Sequence, residues 1–84
     1  MSPDREILLP ELGAGPHPIR VVQWLVDRDS EILAGDRILE VVATSVLFVV
    51  NSPWSGILRA QRVSVDEVVN PGDIVAVIET SEDS

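Results

Sequence analysis

GDRILEVVATSVLFVVNSPWSG, residues 35–56, is the stretch on which the fold turns. Gly35-Asp36 opens it and Asn51-Ser52-Pro53 closes it, two turn signals around a pair of apolar runs. Those runs, 37–43 and 46–50, are rich in β-branched residues and separated only by Thr44-Ser45. The spacing predicts a β-hairpin with a two-residue connection, in which Ala43 faces Val46, Val42 faces Leu47, Val41 faces Phe48 and Glu40 faces Val49. Side chains alternate along a strand, so Val41, Ala43, Val46, Phe48 and Val50 turn to one face, the core. Val42, Leu47 and Val49 turn to the other, beside Glu40.

The same grammar continues outward in both directions. Turn signals fall at Pro10-Glu11-Leu12-Gly13, Gly15-Pro16-His17-Pro18, Asp27-Arg28-Asp29-Ser30, Asp66-Glu67 and Asn70-Pro71-Gly72-Asp73. Between them lie further strand-like runs at 6–9, 19–26, 56–63 and 74–79. No window keeps helical spacing for three turns without meeting Pro or Gly, so the chain reads as all-β. Sliding the sequence by 37 places sets Val26 on Val63, Asp29 on Asp66, Ile32 on Val69, Gly35 on Gly72, Asp36 on Asp73, Ile38 on Val75 and Val41 on Ile78. Such a repeat predicts two hairpin units related by an approximate two-fold axis. Each is too small to bury its own apolar face, and two small sheets packed together would satisfy both.

Eighty-four residues, 45% of them hydrophobic, with a mean hydropathy of +0.24, close one small core. The expected organisation is a single domain over 1–79 and an acidic flexible tail over 80–84. A net charge of −8 argues against nucleic acid and against an anionic membrane as partners, since phosphates would be repelled. All six basic residues are arginines, so the chain contains no lysine. It contains no cysteine either, which rules out thiolate chemistry and fits a reducing, cytoplasmic setting. The charged start predicts no cleaved signal segment, and no apolar run is longer than 46–50, too short to span a membrane.

Five stretches in order, ILLPELG (7–13), VVQWLV (21–26), GDRILEV (35–41), NSPWSG (51–56) and PGDIVAVIE (71–79), resemble a lipoyl/biotinyl carrier domain. The opening segment looks most like the lipoyl domains of dihydrolipoyl acyltransferases in 2-oxo-acid dehydrogenase complexes. The resemblance runs from about Glu6 to Glu79. It implies a flattened β-barrel or sandwich of two four-stranded antiparallel sheets with quasi-two-fold symmetry, in agreement with the repeat. In that family the attachment hairpin reads E-T-D-K-A or E-A-M-K-M. Registering on Val41 and on Ser52-Pro53 lays residues 42–46 over those five positions, and Ser45 falls where the modified lysine belongs. Lipoyl and biotinyl groups are joined to an amine as amides, and a serine hydroxyl is not that nucleophile. No cofactor is therefore expected. Thr44 replaces the acid of lipoyl domains, Val42 replaces a glutamate, and Asp29 and Asp66 occupy turns where the family favours glycine.

The residues expected to make contacts are Val42, Thr44, Ser45, Leu47, Val49 and Trp54. An outward apolar cluster of this size is also compatible with an ordinary surface, or with a cover supplied by the chain's own termini. Trp24, inside an apolar run, reads as packing with its N–H reaching the surface, and Trp54 as half exposed in a turn. No catalytic set emerges. The one histidine, His17, is flanked by prolines and has no second imidazole or thiol for a metal, and the turn acids are dispersed. Ser45 as a phosphopantetheine site would need to begin a helix, and its surroundings are strand-like. The expected role is a non-catalytic docking or assembly module, with a protein partner or self-association through the 42–49 hairpin. The alternative is an accessory component of a 2-oxo-acid dehydrogenase or related acyl-transfer or carboxylase complex that binds the enzymes serving true lipoyl domains. An adaptor-type lipoyl-like domain of a transport system ranks third, because those are generally split by a long helical hairpin.

Overall fold

The computed structural model describes residues 4–80. Eight strands follow one another: β1 (Asp4–Leu8), β2 (Ile19–Trp24), β3 (Glu31–Ile32), β4 (Arg37–Ala43), β5 (Val46–Asn51), β6 (Gly56–Gln61), β7 (Val68–Val69) and β8 (Ile74–Thr80). They form two four-stranded antiparallel sheets, ordered β1-β8-β6-β3 and β5-β4-β2-β7, and no helix occurs among the described residues. The outer strands β1 and β5 do not pair with each other, so the body is a sandwich with open edges. The six longer strands match runs read from the sequence. The two-residue strands β3 and β7 do not, because two residues carry no alternation to detect.

The repeat at 37 residues is a structural two-fold. It carries β2 onto β6, β3 onto β7 and β4 onto β8, end to end. Backbone angles follow it: Asp29 and Asp66 have φ of 71° and 74°, Gly35 and Gly72 of 94° and 93°. The hydrogen bonds that extend the β3–β6 and β2–β7 pairings follow it too. Asp29 N donates to Leu58 O and Asp66 N to Val21 O, while Leu58 N donates to Ser30 O and Val21 N to Glu67 O. The outer strands exchange with a different offset. Gly35 N donates to Ser52 O as Gly72 N donates to Leu9 O, which sets β5 against β1 with Leu47 matching Asp4 and Val49 matching Glu6.

The core lies between the sheets and is built from equivalent pairs, Val21 with Leu58, Ile32 with Val69, Ile38 with Val75 and Val41 with Ile78, all buried. Three expectations need correction. Val46 shares the core parity of Val41 and Ala43 yet is 49% exposed. It stands on the outer strand beside the turn, while Ala43 opposite it on the inner strand is buried. Thr80, assigned to the tail, is buried and ends β8, while 81–84 lie outside the described residues. The Trp24 indole N–H does not reach solvent but donates to Val63 O at 2.9 Å.

Candidate interaction site

The β4–β5 hairpin has the register the sequence predicts, Glu40 opposite Val49, Val41 opposite Phe48, Val42 opposite Leu47 and Ala43 opposite Val46. Thr44 and Ser45 form the connection with φ of 49° and 66°. Positive φ at both central residues is the mark of a type I′ turn, whose twist suits a two-residue hairpin. Neither residue is the asparagine or glycine such a turn prefers, and a β-branched side chain at positive φ is strained. The Thr44 hydroxyl donates to Ala43 O at 2.6 Å.

On the outer face of this sheet, Leu47 is 58% exposed, Val49 is 39% exposed and Val42 is half-buried. Their row continues inward through Arg20, which stands opposite both Val42 and Val68, with its guanidinium donating to Asp66 O at 2.7 Å. Glu40, beside Val49, accepts from Gln23 Nε2 at 2.6 Å. The ten residues 41–50 carry no charge.

The second sheet supplies an internal control. At the positions equivalent to Val42, Leu47 and Val49 it carries Glu79, Asp4 and Glu6. Glu79 pairs with Arg59 Nε at 2.5 Å, and Arg59 also reaches Asp29 at 3.3 Å. The hydrogen bond to Glu79, with the pull of both carboxylates, holds the Arg59 guanidinium protonated more firmly than an ordinary arginine. One backbone, used twice, thus bears an aliphatic outer face at the hairpin and an acidic one at its counterpart. The aliphatic face is no requirement of the fold.

Trp54 meets this cluster only at Val49. It sits in a cleft of about 460 Å³ between the inner ends of β1 and β5, lined also by Leu8, Pro10, Val49 and Pro53. Ser52, buried, fixes it from both sides: Ser52 Oγ donates to Trp54 O at 2.6 Å and accepts from Trp54 N at 3.2 Å. The Arg5 guanidinium lies 5.9 Å from the ring centroid. The ends of the two outer strands at Leu8 and Asn51 therefore meet at this cleft. Sequence reading passed over Leu8, which is half exposed; its place between the buried Ile7 and Leu9 is the alternation that could have flagged it. No group of acids and histidine that could hold a metal ion occurs among the described residues.

A family profile described as "Biotin-requiring enzyme", of the biotinyl/lipoyl type, matches residues 5–78. The chain belongs to the lipoyl/biotinyl carrier-domain family. It is 33% identical over 78 residues to the dihydrolipoyllysine-residue acetyltransferase component of the acetoin cleaving system of Pseudomonas putida. That match covers 93% of this chain and 21% of the relative, so the chain spans about one fifth of the protein it resembles. The residues present do not fit the group such domains carry. The hairpin turn offers two hydroxyls, and the chain has no lysine to form the amide.

Proposed function

We propose that this lipoyl/biotinyl-type domain has no attachment site and works as a non-catalytic docking or assembly module, with Ser45 at the position the modified lysine holds in the family. The reading rests on the contrast between the two outer faces, Val42, Leu47 and Val49 against Glu79, Asp4 and Glu6. Moving three aliphatic side chains from water into a contact contributes several kcal/mol at about 25 cal/mol per Å². A swinging carrier arm gains nothing from such a surface, whereas a docking face does. Co-expression with lipoate and biotin ligases, followed by intact-mass measurement, tests the first half: the mass stays that of the bare chain, and an added lipoyl or biotinyl group refutes the proposal. Val42→Glu with Leu47→Thr tests the second, abolishing partner capture or self-association while the circular dichroism spectrum is unchanged.

The similarity to an acetyltransferase component favours one further reading, an accessory subunit that binds the enzymes serving true lipoyl domains. Titration against purified dehydrogenase and lipoate-ligase components would then show saturable binding. Thr44→Asp with Ser45→Lys asks whether the scaffold is still recognised by the ligase, and lipoylation of that variant supports this reading over the first.

A further inference from the structure

Strand β5 is the outer strand of its sheet and pairs only with β4 among the described residues. In a two-residue hairpin the closing pair, here Ala43 and Val46, is hydrogen bonded, and bonded pairs alternate along the ladder. Val46 and Phe48 therefore turn their amides and carbonyls to β4, and Leu47 and Val49 turn theirs to the open edge. Native sheets protect such edges with charge. The counterpart edge follows that rule, since β1 places Asp4, Arg5 and Glu6 where β5 has Leu47, Phe48 and Val49.

We infer that β5 is a dimerisation edge, pairing antiparallel with β5 of a second copy of this chain about a two-fold axis at Phe48. The inference rests on the docking reading above and names the occupant of that surface. Its register is self-complementary. With Phe48 facing its mate, Leu47 of each copy meets Val49 of the other, and the free amides and carbonyls of these two residues close two bonded pairs. Across the joined sheet the outer row reads Glu40, Val49, then the other copy's Leu47 and Val42, an aliphatic stripe with charge only at its margins.

Charge selects the same occupant. Two copies of a chain with a charge of −8 repel wherever acids meet, and residues 41–50 are an uncharged stretch that includes all of β5 except Asn51, itself neutral. The acids at the equivalent positions, Asp4, Glu6 and Glu79, belong to the other sheet. Of these only Glu6 lines the cleft beside Val49 and Val50, at the margin of a contact centred on Phe48. One strand pair buries less than about 1,200 Å², which places the dimer among transient ones.

Sedimentation of the intact chain should show a reversible monomer–dimer equilibrium as protein rises toward about 1 mM, the weak end of specific affinities. Amide hydrogen exchange should slow with concentration at Leu47 and Val49 and stay constant at Val46 and Phe48. Leu47→Asp with Val49→Glu, copying Asp4 and Glu6, sets like charges opposite one another and should weaken association by about 100-fold. A chain that stays monomeric, or Leu47 and Val49 amides that exchange equally fast at all concentrations, overturns the dimer. A monomer that still captures a partner through Val42 and Leu47 does so while leaving the docking reading intact. A dimer that survives the double substitution, or one that forms with Leu47 and Val49 unprotected, places the contact elsewhere and overturns it as well.

Discussion

Trp24 and Gln61 hold the same position in the two halves, and each donates its side-chain N–H across the sandwich to the carbonyl two residues beyond the other. Trp24 Nε1 reaches Val63 O at 2.9 Å, and Gln61 Nε2 reaches Val26 O at 3.1 Å. The geometry is shared and the setting is not, since Trp24 is half-buried and packs on the core while Gln61 is exposed. Trp24→Phe keeps most of the ring and leaves the Val63 carbonyl without this donor, so it should cost about 1–3 kcal/mol. Gln61→Leu, where water can replace the amide, should cost well under half of that. Urea denaturation of both variants measures the ratio; equal losses would show that burial does not set the value of this bond.

The turn at Thr44-Ser45 is strained by its residues rather than by its length. Thr44→Asn with Ser45→Gly supplies the pair a type I′ turn prefers and should stabilise the domain by about 1–2 kcal/mol. In a domain of this size each kcal/mol raises Tm by about 4–8 °C, which calorimetry resolves. An unchanged or lowered Tm would mean that the Thr44 hydroxyl bond to Ala43 O compensates the backbone strain.

Asp29 and Asp66 share a positive φ but not their neighbours. Asp66→Gly relieves the backbone and should stabilise by up to about 1 kcal/mol. Asp29→Gly relieves it equally but removes the carboxylate facing Arg59 at 3.3 Å, an exposed pair that solvent screens. Its net effect should therefore fall below that of Asp66→Gly, and a thermal melt of the two single variants gives the order directly.

Gly56 opens β6 where it runs against β8. A Cβ there would overlap the Glu79 carbonyl oxygen and come within 2.9 Å of Ile78 Cγ2, at a φ of 159°. Gly56→Ala should cost more than about 3 kcal/mol, because the obstacle is backbone in the centre of a sheet and cannot swing aside. Wild-type stability in this variant would show that the two strands can part without loss.

The alternation and the turn residues were enough to place the hairpin, its register, the outward set Val42, Leu47 and Val49, and the repeat that became the two-fold. These are local matters: strand period, chain reversal and positive φ are decided within a few residues, and 37-residue spacing is visible in one dimension. Tertiary structure decided the rest. It left Val46 exposed on the outer strand while burying Ala43 opposite it. It set Trp54 in a cleft with Leu8 and the Val49 end of the hairpin, and it turned the Trp24 N–H inward to Val63. It also brought out the contrast between Leu47 and Val49 and their counterparts Asp4 and Glu6. Strands β1 and β5 are followed by loops of unequal length, 9–18 and 52–55, so their offset differs from that of the other strands, and no sliding of the sequence by the repeat could have set those residues side by side.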